Sequence, residues 1–183
     1  MLEEVIVTAT RRSESIQDIP LNISAVSGDA ITEQGLTNLA DVMRWVPGIH
    51  IVDQGSRGAD RIVARGLSVD SFGGSEQLNN TGGGTVATYV GDIPVYVDMK
   101  LDDLERVEVL LGPPGTLSGA GTMGGAIRYI PNKPQFDGGE LEIRGDLYQI
   151  DEADDMSYDT GFTWNLPVSD TFAMRFNVDY LDD

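Results

Sequence analysis

LERVEVLLGPPGTLSGAGTMGGAIRYIPNKP, residues 104–134, is the stretch whose reading decides the fold. Gly119, Gly121 and Gly124 match the G-x-G-x-x-G spacing that cradles a pyrophosphate where a strand meets a helix. Here, however, Gly125 leads into AIRYI (126–130), a β-branched and aromatic run with strand character, and Pro131 stops it. A phosphate loop fails as well, because Lys133 is followed by Pro134 rather than Ser or Thr. The glycines therefore read as tight turns and close backbone approaches between two strands, RVEVLL (106–111) and AIRYI.

Upstream, EEVIVTAT (3–10) is a short β-branched run followed by the polar RRSESIQD, an extended segment in a tail with no hydrophobic partner nearby. SGDAITEQ (27–34) predicts a short helix ending at Gly35. Thr37 is placed to cap a second helix whose apolar face holds Leu39, Val42, Met43 and Val46, with Pro47-Gly48 ending it. IHIV (49–52), RIVAR (61–65) and TVATYV (85–90) predict strands. DQGSRGAD and the Gly, Ser and Asn-rich SFGGSEQLNNTGGG (71–84) predict loops. PNKPQFDGG (131–139) is the best domain boundary.

Beyond it the texture changes, because apolar and polar residues alternate over segments of about ten residues. Leu141, Ile143 and Leu147 share one face. So do Tyr158, Phe162, Trp164 and Leu166, and then Phe172, Met174, Phe176, Val178 and Tyr180. With the acidic DEADD (151–155) and a short NLPVSD turn between them, two antiparallel hairpins follow, of the length tilted membrane strands need. Two arrangements stay open: a meander whose apolar face covers the first domain's core, or barrel strands whose aromatic face meets lipid.

Composition removes other classes. Twelve Lys+Arg against 30 Asp+Glu give a formal charge of -18, which repels phosphate backbones, so nucleic-acid binding is not expected. With no cysteine there is neither a disulfide framework nor a thiolate metal site. No stretch approaches the roughly 20 apolar residues of a membrane-spanning helix. The one histidine, His50, lies inside IHIV and suits a hydrogen-bonded structural role. DEADD lacks the glycine and terminal glutamate of a calcium loop. No convergent acid–base pair can be placed, so no catalytic residue, metal or cofactor is assigned and the chain reads as non-enzymatic.

The block at 104–134 resembles the plug-domain signature of TonB-dependent outer-membrane receptors. Val107-Glu108-Val109 matches the family's "IEV" strand, Gly112-Pro113 its Gly-Pro turn, Gly119 to Gly125 its glycine-rich hairpin and Lys133-Pro134 its closing pair. PGIHI (47–51) resembles the "PGV" exit from the first helices, Arg65-Gly66 the "RG" motif, and YVGDIPV (89–95) a strand ending in an Asp-containing turn. EEVIVTA (3–9) resembles the TonB box. Two departures stand out. Gly91 precedes Asp92 where the family often has Asp then Gly, and Leu111 replaces the arginine common before the Gly-Pro turn.

The resemblance implies an α+β plug with a small mixed sheet and short helices, followed by antiparallel strands of an incomplete transmembrane barrel of about 22 strands. The domains it implies are a box-containing tail (1–12), a plug (13–137) and the first barrel strands (138–183). It implies energy-coupled import of a siderophore, cobalamin or oligosaccharide across a Gram-negative outer membrane, with the plug inside the lumen and the N-terminus periplasmic. The implied partners are the periplasmic domain of TonB, the barrel itself, a small-molecule substrate and outer-membrane lipid. Glu4, Val5, Ile6, Val7, Thr8 and Ala9 are the expected TonB contact, by strand addition. Arg57, Phe72, Gln77, Asn79, Asn80 and Tyr96, in the outward stretches Gln54 to Asp60, Ser71 to Asn80 and Tyr96 to Met99, are candidate substrate contacts. Arg65 is the expected plug–barrel contact. The alternative is a self-contained soluble binding or assembly domain with the meander over its core.

Overall fold

The computed structural model describes residues 6–8, 12, 14–52, 61–67, 86–95, 99–113, 123–149 and 156–182. In chain order these form β1 (Ile6–Val7), β2 (Glu14–Ser15), β3 (Ile23–Ser27), α1 (Gly28–Glu33), α2 (Leu39–Met43), β4 (Ile49–Val52) and β5 (Arg61–Ala64). There follow β6 (Val86–Val90), β7 (Ile93–Val95), β8 (Leu104–Leu111), β9 (Gly125–Pro131), β10 (Glu140–Tyr148), β11 (Ser157–Ser169) and β12 (Phe172–Asp182). The chain divides into two compact units, Met1–Pro131 and Asn132–Asp183.

The first unit is built on a five-stranded mixed sheet in the order β3-β8-β9-β6-β7. Its β6–β9 pair is parallel and the others antiparallel. The two runs that opened the sequence reading, β8 and β9, lie in its interior, and nearly every residue of both is buried. Both faces of these strands are covered, so period two separates two environments. Val107, Val109, Ile127 and Tyr129 join the core made with Ile31 of α1 and Leu39, Val42 and Met43 of α2. Leu110 and Ala126 pack on the other face with Tyr89.

Both helices are short and depend on caps and on that core. Ser27 caps α1, its hydroxyl accepting the Ala30 N–H at 3.3 Å. The cap of α2 is Asn38, whose Oδ1 accepts the Asp41 N–H at 2.9 Å, and not the expected Thr37. Asn and Thr are both good caps, and Asn38 is the one with extended φ/ψ beside the first helical turn. The helix also ends at Met43, before Pro47, although Val46 remains buried in the core. Strand β3 was not expected. It pairs with β8 through Ile23↔Leu110 to Ser27↔Arg106, and its partner lies some eighty residues away in sequence. In the β6–β7 hairpin Gly91 and Asp92 are the two loop residues, and only Gly91 has positive φ, at 57°. A two-residue loop with the left-handed residue first is a type II′ pattern, which explains why glycine precedes aspartate here.

In the second unit β10, β11 and β12 form an antiparallel sheet with Leu141↔Trp164, Ile143↔Phe162, Phe162↔Val178 and Trp164↔Phe176 opposed. Directly opposed residues share a face, so the expected apolar faces coincide. The ring centroids of Tyr158 and Tyr180 are 5.7 Å apart, and those of Trp164 and Phe176 6.3 Å. The expected NLPVSD turn is mostly strand: β11 continues to Ser169, with an irregularity in register between Pro167 and Ser169, leaving only Asp170 and Thr171 to turn the chain.

This sheet is inverted relative to one that folds in water. Phe162 and Trp164 are 38% and 42% exposed, whereas Thr163 and Asn165 between and beside them are 3% and 1% exposed. The polar face is internally bonded, with Arg144 donating to Thr163 at 2.8 Å and to Asn177 and Asp179 at 2.9 Å each. Asn165 clamps the preceding segment, accepting the Gln135 N–H and donating to the Gln135 and Gly138 carbonyls. The apolar face of this sheet is exposed. Alternating apolar-out, polar-in strands are the pattern of a membrane barrel, although the three strands here do not close one. We expect this chain on its own to associate in water and to become monodisperse in detergent micelles. A water-soluble monomer with β10 to β12 protected from hydrogen exchange would contradict this.

Candidate functional site

Beyond the register irregularity between Leu104 and Arg106, strand β8 sends Val107 and Val109 to the helical core, so Arg106 and Glu108 face the opposite side of the sheet. The β8–β9 register sets Arg128 directly across from Glu108. Glu108 is fully buried and lies between two guanidinium groups: Arg106 Nε donates to Oε1 at 2.8 Å and Arg128 Nη1 to Oε2 at 2.9 Å. Each arginine is anchored a second time. Arg106 pairs with Glu105, while Arg128 bonds Asp92 at 2.9 Å and the Gly91 carbonyl at 3.2 Å, both in the β6–β7 turn. A buried carboxylate needs such partners, since without them it would give up its charge or the fold.

Onto this cluster comes the N-terminal tail. The backbone N–H of Thr8 donates to Glu108 Oε1 at 2.7 Å, and the Thr8 hydroxyl lies 3.2 Å from the same oxygen and accepts from Arg106 Nη2 at 3.2 Å. Val7 is 0% exposed, while Ile6 is 52% exposed. Ile6 and Val7 are paired with Ser15 and Glu14 of β2. The sequence shows no hydrophobic partner near this tail, and the partners the structure gives it are polar. The polar stretch after it supplies a return strand, and a glutamate one hundred residues away supplies the acceptor.

Arg65 is exposed, with φ at 49°. Its N–H donates to the Gly48 carbonyl at 2.7 Å, and its side chain runs beside Gly48 and the Leu111–Gly112 turn. The structure therefore brings the arginine of the "RG" pair next to the position where Leu111 replaces an arginine. His50 is exposed on β4, and no metal-binding group of His, Asp and Glu occurs among the described residues. Gly125 opens strand β9 and no helix, so the glycine spacing before it has no nucleotide-loop context. Glu4, Val5 and Ala9 of the expected TonB contact, and all six candidate substrate contacts, Arg57, Phe72, Gln77, Asn79, Asn80 and Tyr96, lie outside the described residues.

Glu108, Arg106 and Arg128 are the residues that sequence reasoning missed as a site. The available signal was a glutamate inside VEVLL and an arginine inside AIRYI, each charged where every neighbour is apolar.

A mixed sheet with a tethered N-terminal strand, followed by antiparallel strands turned apolar side out, is the architecture of a plug-type domain leading into barrel-type strands. The TonB-dependent Receptor Plug Domain family matches residues 15–126, and the chain belongs to that family. The ferripyoverdine receptor of Pseudomonas aeruginosa is 34% identical over 131 residues, 70% of this chain and 15% of its own length. A hemin receptor of Yersinia pestis is 30% identical over 128 residues, 69% of this chain and 18% of its own. The chain thus spans less than a fifth of either relative. The crystal structure of the P. aeruginosa ferripyoverdine receptor bound to ferripyoverdine superposes with a TM-score of 0.72 over 97% of this chain and 22% of that one. At 23% identity this likeness speaks for the fold.

Proposed function

We propose that this chain is the plug and opening barrel strands of a TonB-dependent importer in a Gram-negative outer membrane, with no catalytic role. The observation that carries the proposal is the pairing of a plug sheet with a following sheet whose apolar face is exposed and whose polar face is buried. Lipid outside and a plugged lumen inside are the surroundings in which that inversion is stable. The plug blocks the lumen until periplasmic TonB pulls on the box, with the N-terminus on the periplasmic side. Residues 4–9 are the box, offering backbone groups to an added strand so that affinity depends little on side chains. The cargo is a small, scarce nutrient. The names of the relatives, ferripyoverdine and hemin receptors, favour a metal-chelate cargo over an oligosaccharide. Arg57, Phe72, Gln77, Asn79, Asn80 and Tyr96 are the proposed plug contacts to it, and Arg65 the proposed contact to the barrel wall. The tail, plug and barrel are proposed to span 1–12, 13–137 and 138–183.

Proline has no N–H and cannot complete a strand ladder. Ile6→Pro is therefore expected to abolish binding of the TonB periplasmic domain, measured by calorimetry on the receptor in detergent, and to abolish TonB-dependent uptake. Unchanged affinity would exclude residues 4–9 as the contact.

A further inference from the structure

We infer that Glu108, held between Arg106 and Arg128, is a latch that keeps the box strand seated on the plug and must open before TonB can capture it. The inference rests on the reading of residues 4–9 as the box. Thr8 bonds the carboxylate through both its N–H and its hydroxyl, Val7 is buried beside that contact, and Ile6 and Val7 are paired with β2. The backbone groups that an incoming strand needs are thus partly committed within the chain. The acceptor cannot follow the tail outward. Its own strand is hydrogen-bonded on both sides, to β3 and β9, and both of its oxygens are fixed by guanidinium groups that are themselves tied to Glu105, Asp92 and the Gly91 carbonyl. A charge-assisted bond to a rigid acceptor is stronger than one between neutral groups. The latch therefore sets how often the box is free and gives the first resistance to a pull from the periplasm.

The test uses the full-length receptor in outer-membrane vesicles, with any cysteines outside these residues replaced. The 183 residues contain none. Val7→Cys reports release through its rate of maleimide labelling, and the purified TonB periplasmic domain reports capture. Glu108→Gln keeps an acceptor oxygen but removes the charge, so labelling is expected to quicken by about tenfold and TonB affinity, measured without the cysteine, to rise by a similar factor. Glu108→Gln/Arg128→Met removes the carboxylate charge without leaving an extra buried cation, and is expected to give the same result should the single variant fold poorly. Unchanged labelling with unchanged, measurable TonB affinity in the folded variants overturns the latch alone. Absence of TonB binding to every variant and to the unaltered receptor overturns the box reading, and the latch with it.

Discussion

A Gly125→Val plug is expected to lose the joint of its central sheet and to unfold well below the temperature of the unaltered chain. Gly125 is the first residue of β9 and pairs with Leu111 of β8 on one side and Val86 of β6 on the other. Its φ is 149°, a backbone conformation that residues with a Cβ rarely adopt, and an added Cβ would stand 2.1 Å from the Leu110 carbonyl oxygen and 3.2 Å from its carbon. Those atoms belong to the backbone of a buried strand and cannot rotate away as a side-chain tip would. Overpacking a core costs about 1–3 kcal/mol even where side chains can adjust, so a backbone clash at the meeting of three strands should reach at least about 3 kcal/mol. For a domain of this size that corresponds to a fall of roughly 10 °C or more in Tm, read by circular dichroism in detergent. Gly138→Ala is the control. Nothing lies within 4 Å of its added Cβ, and its Tm should move by less than a degree or two, equivalent to about 0.5 kcal/mol. Equal melting of the two variants would mean that β9 does not begin where the register puts it.

What could be read from the sequence follows from how local each signal is. RVEVLL, AIRYI and the alternating segments after Gly139 carry their own period, and they became β8, β9 and the β10 to β12 sheet with the expected faces. The glycine-rich connection could be denied a nucleotide because the strand character of AIRYI is local as well. Strand β3 was missed because ISAVS is short and half-buried, and becomes a strand only by pairing with β8 across the intervening helices. The segment at Ile6–Val7 was read correctly as extended, but its partners were not foreseen. The two groups that hold it, Glu14–Ser15 and Glu108, include one that only the folded sheet brings near. The glutamate of VEVLL was visible as a motif letter. Its burial, and the arginine opposite it, depend on a register that no local pattern encodes.

Truncating that glutamate should be the costliest single change to the polar side of the sheet. Glu108→Ala leaves Arg106 and Arg128, each with a side chain 9% exposed, facing each other without the carboxylate that both donate to. Removing one partner of a buried ion cluster costs about 3–5 kcal/mol, and because Arg106 keeps Glu105 and Arg128 keeps Asp92, the lower end of that range is expected. Against a total stability of about 5–15 kcal/mol, that is enough to leave a measurable unfolded population in mild denaturant. Replacing the whole cluster, Arg106→Met/Glu108→Leu/Arg128→Met, removes the charges together and is expected to restore most of the lost stability, since buried ion clusters are often no more stabilising than apolar residues of similar volume. Urea unfolding of the three proteins in detergent would check this. A triple variant as unstable as Glu108→Ala would show that the charges hold the sheet together on their own account. The expected result separates two roles. If an apolar cluster supports the same sheet, the folded core has no need of a buried carboxylate. What the charged version provides, and the apolar one lacks, is an acceptor for the Thr8 N–H. The triple variant should then keep its fold while its Ile6–Val7 strand is released at least as freely as in Glu108→Gln, so stability and the hold on that strand, coupled in Glu108→Ala, would come apart.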